Sequence, residues 1–436
     1  MKVIIASIEY TAIDNLSFAP EISVTGSEIP INEFELDVIT TDNVDVGQFA
    51  YLYDDLDNLW AKYWIVYAEH ADEQIVHLKA QSQLKLLERR MLDAVMYVSE
   101  PLSDILTDIF YELGSSEYSL DNALSSTTIS GFCPEQSAKT RLQWVCFVSG
   151  AYVKSFFSDK INILQVDTTA TFIPINKTFW KPTSSYTNYV TRVRARKYSY
   201  VQGTPSATDK WVACVENIGG IPTTVYYIES SETISIANED VPSGTLTHEI
   251  TIDDITIIND SNVSAILSYL STYYFKRMKL EFDTINNAEY IPGDFVIAYQ
   301  DESNLVSGYI EKAEYLFGTQ ARAKIKLAPV DVVESAVITI VYHYGNITIL
   351  GKQSYTFPIG YSYEIENPWF DTIIGSIRYV FRPESESVTG TVMADATIDV
   401  YYDSVLEYEY TTSTLHIISV DGVNVSETDS SRLVIE

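Results

Sequence analysis

Apolar and polar residues alternate over many short stretches of the chain, and this alternation predicts strands with one buried face. Residues 336–342 and 397–402 are two such stretches, and both are rich in Val, Ile, Thr and Tyr. Turn signals such as Gly219-Gly220 and Pro292-Gly293-Asp294 separate neighbouring stretches. The pattern therefore predicts a mainly β protein with antiparallel strands.

Three segments break the alternation, because their apolar residues recur every three or four positions, as on one face of a helix. The first follows Pro101 and ends at Gly114, the second runs from Ser137 to Gly150, and the third covers residues 261–277. Proline near a first turn and glycine after a last turn are typical helix boundaries. Each apolar stripe predicts a helix that lies on a sheet.

These markers divide the chain into four regions. Residues 1–95 are strand-rich, residues 96–168 hold the first two helices, and residues 169–330 combine β segments with the third helix. Residues 331–436 carry 4 Lys and Arg against 16 Asp and Glu, and they are predicted to form an acidic β-sandwich-like region. The predicted fold class is mainly β with α+β insertions.

Composition and charge narrow the class of protein. The 436 residues include 28 Lys and Arg against 60 Asp and Glu, a net charge of −32, and such a surface repels nucleic-acid phosphates. Because 46% of the residues are hydrophobic, the chain is expected to fold despite this charge. No apolar run is long enough to predict a membrane span. Three cysteines without a C-x-x-C spacing favour a reducing cytoplasm over a disulfide scaffold.

Residues with catalytic or metal-binding chemistry are scarce in the sequence. His70 and His77 flank a predicted hairpin turn, but a zinc site needs three or four ligands, and no further His or Cys lies near them in sequence. Residues 42–45 and 54–57 are acidic, yet neither segment follows the calcium-loop pattern. A G-x-S-x-G elbow and a Gly-rich phosphate loop are also missing. We therefore predict no catalytic residue, no cofactor and no metal site.

A row of basic side chains stands out against the acidic background. Arg192, Arg194 and Arg196 lie at spacing two and are predicted to project from one face of one strand, with Lys197 following. The row could dock an acidic surface of a neighbouring subunit, or it could pair locally with Asp or Glu on the next strand. These four cations are the candidate interface residues, and both interpretations stay open.

Three consecutive blocks of residues resemble a known family. The first is a predicted hairpin with an S-x-x-x-L-L run, and the second is the helix that follows it. The third is the most specific, with a strand that ends in Pro, a helix that contains Leu-Gln, and then Gly-Ala and Asp-Lys-Ile. The blocks are residues 64–70 with 82–88, residues 102–110, and residues 129–134, 141–147, 150–152 and 159–163. Residues 51–166 thereby resemble phage tail hub proteins, which include the baseplate hubs of contractile phages and the N-terminal halves of tail-associated lysins in siphophages.

The resemblance continues more weakly to about residue 330, through segments at 262–270, 292–296 and 308–311. It implies two antiparallel β-barrels, in residues 1–95 and 169–330, a helix-containing α/β subdomain at 96–168 and a C-terminal β domain. Residues 331–436 match the family at no specific motif. The peptidase or lysozyme extension of some relatives is not recognisable, so the implied protein is structural and not an enzyme.

The resemblance also implies a homotrimer, because two similar barrels per chain give six equivalent contacts from three copies. The implied role is a symmetry adaptor at the virion tail tip, between a sixfold tail tube or distal tail protein and a threefold spike, fibre or other tail-tip protein. The tape measure protein is a further candidate partner. DNA would pass through the ring without specific binding, because an acidic lining repels phosphates. Assembly is expected in the cytoplasm of the host bacterium.

Two other classes of function remain open from the sequence. An acidic, aromatic-rich β protein could be a carbohydrate-binding or receptor-binding adhesin, in which Tyr and Trp stack on sugars. A glycan hydrolase would need two carboxylates about 5–10 Å apart in a cleft. The tryptophans that could stack on sugars are Trp60, Trp64, Trp144, Trp180, Trp211 and Trp369.

Overall fold

The computed structural model describes residues 1–11, 13–178, 181–285, 289–317, 322–345, 347–348, 350–374, 377–410, 415–420 and 423–424. Strands account for 53% of the structure and helices for 11%, and several sheets curl into half-barrels. The predicted fold class, mainly β with helical insertions, is therefore confirmed. The chain forms two compact units, Met1–Ala298 with Ser307–Asp331, and Tyr299–Val306 with Val332–Glu436.

The N-terminal part of the chain contains most of the helices. Its elements, in chain order, are β1 (Lys2–Ile5), β2 (Ile8–Tyr10), β3 (Ile13–Phe18), β4 (Glu33–Ile39), β5 (Phe49–Tyr53), β6 (Leu59–His70), β7 (Ile75–Ser82), α1 (Leu84–Leu87), β8 (Met91–Leu92), β9 (Val95–Pro101), α2 (Leu102–Ile109), β10 (Tyr118–Leu120), β11 (Thr128–Cys133), β12 (Gln136–Ser137), α3 (Ala138–Ser149), β13 (Ala151–Lys154) and β14 (Ile161–Gln165), with short 3-10 turns at Ser115–Glu117 and Asn122–Leu124.

The remaining elements are mostly strands. They are β15 (Thr171–Phe172), a 3-10 turn at Ile175–Lys177, β16 (Thr183–Tyr186), β17 (Arg192–Gln202), β18 (Trp211–Ile218), β19 (Ile221–Ala237), β20 (Glu249–Ile252), α4 (Val263–Tyr274), β21 (Met278–Ile285), β22 (Phe295–Tyr299), β23 (Leu305–Leu316), β24 (Arg322–Val333), β25 (Ser335–Tyr344), β26 (Ile347–Thr348), β27 (Gln353–Pro358), β28 (Ser362–Glu366), β29 (Phe370–Ile374), β30 (Ile377–Pro383), β31 (Ser387–Thr391), β32 (Ala396–Tyr410), β33 (Leu415–Val420) and β34 (Val423–Asn424).

One large sheet joins strands that are far apart in sequence. Its order is β16-β21-β24-β23-β3-β4-β7-β6-β5-β1-β2, with β22 beside β23 and β15 beside β22. Strands β3 and β23 meet where Phe18 lies opposite Tyr315. Strands from the predicted regions 1–95 and 169–330 thus lie side by side in one sheet. The boundaries of the four predicted domains stay predictions.

Aromatic side chains fill the junction between β3 and β23. The rings of Phe18 and Tyr315 stack with their centroids 5.8 Å apart, and Trp60 contacts Tyr315 edge-on at 4.8 Å. Phe157 and Tyr63 complete the cluster around Phe18, at 6.2 and 6.3 Å. Aromatic pairs at these separations add about 0.5–1.5 kcal/mol each beyond the area that they bury. The cluster therefore stabilises the contact between the two halves of the sheet.

Helix α3 forms where the sequence predicts it. The Ser137 hydroxyl accepts a hydrogen bond from the Thr140 backbone N–H at 3.1 Å, which satisfies one of the unpaired donors of the first turn. Gly150 ends the helix in the left-handed conformation, with φ at 65°. Its buried face joins one hydrophobic core with the buried faces of α2 and α4.

The other two long helices are shorter than predicted. Helix α2 buries the predicted apolar stripe but ends at Ile109, because the backbone leaves helical geometry at Phe110 and reaches Gly114 through a turn. Helix α4 covers Val263–Tyr274 within the predicted 261–277. The Asn259 and Asn262 side chains bond backbone groups before α4 and hold that segment in a turn.

A second, four-stranded sheet has the order β18-β19-β17-β20. The 17-residue strand β19 pairs with β18 over its first half and with β17 over its second half. Helix α4 packs against β17 and β19. The four predicted interface residues, Arg192, Arg194, Arg196 and Lys197, lie on strand β17 of this sheet.

The second unit is built on a sheet of the order β26-β25-β32-β30-β29, to which β27, β33 and β34 add. Strand β25 pairs in parallel with β32 and antiparallel with β27, and β28 pairs with β31 in a separate two-stranded sheet. Its description as a β-sandwich-like region stays a prediction.

Across the described parts of the chain, every helix is too short or too polar to cross a membrane.

Candidate functional site

The predicted basic row lies on strand β17, where two of its arginines share one carboxylate. Arg192 Nη1 lies 3.2 Å from Glu249 Oε1, and Arg194 Nη1 lies 2.9 Å from Glu249 Oε2. Glu249 begins the neighbouring parallel strand β20 and lies directly opposite Arg192. The two arginine side chains keep 45% and 40% exposure, so each ion pair contributes at most about 1 kcal/mol. Both guanidinium groups therefore stay accessible to a partner.

Lys197 makes separate contacts from those of the arginines. Its ammonium lies 2.6 Å from Asp260 Oδ1, just before α4, and 2.9 Å from Glu232 Oε2 on β19. Hydrogen bonds to Asp260 and Glu232 raise the pKa of Lys197 above its ordinary value. Because side chains alternate along a strand, Lys197 belongs to the face of β17 that α4 covers, and Arg196 to the opposite face. The structure thus distributes the four predicted residues over both faces of β17.

The outer half of the four-stranded sheet presents an apolar surface that sequence reasoning missed. Val201 and Trp211 both lie opposite Ile228 on β19, so the three side chains share one face. Tyr226 packs edge-on against Trp211, with the ring centroids 5.4 Å apart. Val215 is two residues after Ala213, which lies opposite Tyr226, so its side chain is on the same face. Val201 and Val215 are each 66% exposed and Trp211 is 50% exposed. These five residues are called the ribbon face below.

The opposite side of the same strands is buried around Cys214 and Val225 and exposed at Ile218 and Ile221 beside the turn. Cys214 and Val225 pair across β18 and β19 and are almost inaccessible to solvent. The Tyr227 hydroxyl donates to Glu216, and burial together with this hydrogen bond raises the pKa of Tyr227. Glu216, the one carboxylate between Trp211 and Ile228, therefore points away from the ribbon face. The alternation Trp211, Ala213, Val215 was the available signal for the ribbon face, but alternation alone does not say which side is covered.

The candidate metal and nucleophilic residues are engaged in ordinary contacts. The predicted turn between His70 and His77 is confirmed, with His77 Nδ1 2.7 Å from Asp37 Oδ1 and His70 Nε2 3.1 Å from Asn43 Oδ1. Burial raises the pKa of the Cys146 thiol to about 12, so this thiol is neutral at physiological pH. In the described ranges, no group of three or more His, Cys, Asp or Glu could hold a metal ion.

A cleft of about 700 Å³ lies at the C-terminal end of α4 in the first unit. Tyr273, Tyr274 and His248 line it together with Lys276 and Lys279. Lys276 is already paired with Asp331 at 2.7 Å. Glu28 is the one carboxylate among the described residues that line the cleft, whereas glycoside hydrolysis by the usual route needs two.

The tryptophans proposed for sugar stacking fall into different environments. Trp60 and Trp144 are buried in the core and cannot stack on a ligand. Trp64 is half-buried beside Phe49. Trp211 and Trp369 are at least half exposed, and Trp180 lies outside the described residues.

Comparison with known proteins shows that this architecture resembles that of solved phage tail proteins. No protein-family model matches the sequence, and no curated protein matches it either. Among solved structures, the tail protein from Neisseria meningitidis MC58 superposes with a TM-score of 0.54 at 10% identity, over 75% of this chain and 95% of that one. The 43 kDa tail protein of prophage MuSo2 from Shewanella oneidensis gives a TM-score of 0.52 at 8% identity, over 75% of this chain and 97% of that one.

The chain has the fold of these phage tail proteins. At such low sequence identity the likeness shows the fold alone and assigns no role to individual residues. The phage-tail fold agrees with the family resemblance found in residues 51–166. It places the basic row and the ribbon face on a fold known from tail proteins.

Proposed function

We propose that the chain is a structural component of the tail tip or baseplate of a phage or phage-derived particle, and not an enzyme. The fold that it shares with two phage tail proteins carries this proposal. The cleft at the end of α4 supports the non-enzymatic role, because its described lining offers a single carboxylate and an already paired lysine.

In this proposal three copies form a ring that adapts the sixfold tail tube, or a distal tail protein, to a threefold spike, fibre or other tail-tip protein. The large sheet supports it, because one chain supplies strands from both predicted barrel regions and three chains could then present six similar surfaces. The net charge of −32 is compatible with an acidic channel through which DNA passes without binding. The tape measure protein is a further proposed partner inside the tail.

The test is to locate and weigh the protein in its assembly. Antibody-labelled particles, assembled in the host cytoplasm, are expected to show label at one end of the tail by electron microscopy. Light scattering of the purified protein is expected to give three times the chain mass of 49.1 kDa. Label confined to the capsid, or cleavage of cell-wall glycan by the purified chain, would contradict the proposed function.

The exposed arginines of β17 give a sharper prediction for assembly. Replacing Arg192, Arg194 and Arg196 by Glu is expected to reduce the yield of complete tails about tenfold or more, because the reversed charges would repel an acidic partner surface. The side chains are partly exposed, so the melting temperature should change little. Tail yield is counted by electron microscopy, and folding is followed by circular dichroism.

The matched control is the triple Arg→Gln variant at the same positions. It removes the ion pairs with Glu249 but introduces no repulsion, so it separates local pairing from docking. Docking predicts an intermediate tail yield for the glutamine variant. A normal yield of tails from the glutamate variant would instead favour purely local pairing.

A further inference from the structure

Helix α4 covers only half of one face of the four-stranded sheet. Val193 and Ala195 on β17 are fully buried in the core that contains the apolar stripe of α4. Every second residue of β17 points the same way, so Ser199 and Val201 lie on the same face as Val193 and Ala195, beyond the N-terminal end of the helix. The sheet continues there as the ribbon face, with Val201, Trp211 and Val215 exposed. An apolar surface that continues a buried one is typical of a contact made by another chain.

The edge of the sheet beside this surface also lacks a paired strand among the described residues. Among the described strands, β18 forms a backbone ladder with β19 alone. Its register with β19 runs from Trp211 to Ile218 without a bulge. Proteins usually protect such an edge with a bulge, a proline or a lysine, and the eight residues of β18 contain none of these. The backbone of β18 is therefore able to pair with a further strand.

The charge of the hairpin indicates which partner can approach it. Between Trp211 and Ile228 the sequence carries one charged residue, Glu216, in a chain where 20% of residues are charged. Glu216 accepts a hydrogen bond from the Tyr227 hydroxyl on the side of the strands opposite to the ribbon face, so the ribbon face has no charged group. Copies of a chain with a net charge of −32 repel each other where two acidic surfaces meet, and contact costs least where one of the two surfaces carries no charge. A basic partner, in contrast, would find no acid here to recognise.

We propose that the ribbon face and the free edge of β18 bind a second copy of this chain. The inference rests on the proposed function, since it assigns one contact between copies in the proposed ring. Burying Trp211 and the two valines supplies the hydrophobic driving force, while the unpaired backbone of β18 sets the direction of approach.

The experiment uses the full chain with Val201→Glu and Val215→Glu together. Both side chains are 66% exposed, so the variant should fold like the wild type. Two carboxylates placed in an apolar contact should raise the concentration at which the trimer dissociates about 100-fold or more. Light scattering over a concentration series measures this shift. Amide hydrogen exchange at Trp211–Ile218 should be slow in the assembled wild type and fast in the variant.

The matched control is the double variant Leu56→Glu and Leu246→Glu. These leucines are 82% and 88% exposed and lie outside the ribbon face, so the same change of charge should leave association unchanged. A trimer that tolerates the valine substitutions, with fast exchange at β18, overturns this inference and leaves the proposed function standing. A wild-type chain that stays at 49.1 kDa at every concentration, and is absent from tails, counts against the proposed function itself.

Discussion

Replacing Arg141 by methionine is expected to lower the free energy of unfolding of the first unit by about 3 kcal/mol. The Arg141 side chain is 2% exposed and lies on the buried side of α3. Its Nη2 donates to the backbone carbonyls of Asp93 at 2.7 Å, Pro134 at 3.1 Å and Leu92 at 3.3 Å. Methionine fills a similar volume but leaves these carbonyls without their donor. Urea unfolding followed by tryptophan fluorescence measures the loss.

The control for this prediction is Lys139→Met on the same helix. Lys139 pairs with Glu88 at 3.0 Å near the surface, so its loss should cost about 1 kcal/mol or less. Arg141→Lys should fall between the wild type and the methionine variant, because the shorter lysine side chain places its ammonium short of the position of Nη2 but can still donate to part of the three carbonyls. Equal unfolding midpoints for wild type and Arg141→Met would show that the three carbonyl contacts do not stabilise the fold.

Replacing Phe18 by alanine is expected to lower the free energy of unfolding by about 4 kcal/mol. Phe18 is 1% exposed and lies at the one position where β3 pairs with β23. The substitution removes the ring that stacks on Tyr315 and contacts Trp60, and it leaves a cavity at the junction. Amide exchange along β3 and β23 should therefore accelerate more than exchange along β1 and β5, which lie further along the same sheet. Both effects are measured on the full chain.

Ile39→Ala is the matched control within the same sheet. Ile39 ends β4 and is 52% exposed, so its truncation should change stability by less than about 1 kcal/mol. Uniform acceleration of exchange across the sheet in Phe18→Ala would argue against a specific role of the ring at the junction. It would assign the loss to general core packing.

Local sequence signals predicted the elements that depend on neighbouring residues. Helix α3 begins after Ser137 and ends before Gly150 because a side-chain cap and a left-handed glycine act within one turn of the backbone. The ends of α2 and α4 were less accurate, since the apolar stripe continues beyond the last helical hydrogen bond. The hairpin between His70 and Ile75 was predicted for the same local reason.

Local sequence signals did not predict the long-range contacts of the candidate interface. Alternation along β17 identified Arg192, Arg194 and Arg196 as a row, because side-chain direction follows from strand geometry alone. Glu249, the partner of Arg192 and Arg194, is more than fifty residues away in sequence, and only the parallel pairing of β17 with β20 brings it opposite Arg192. The exposure of Val201 and Val215 likewise depends on where α4 begins above the sheet.

The sequence by itself determined the β-rich class, the three long helices and the acidic charge, because each follows from composition or from short-range periodicity. The motif blocks in residues 51–166 carried the resemblance to tail hub proteins. The tertiary structure decided that Arg141 points inward, that Phe18 joins two distant parts of one sheet, and that the ribbon face stays uncovered. These features depend on long-range pairing, in which the gain from burying one surface is set by a segment far away in the chain.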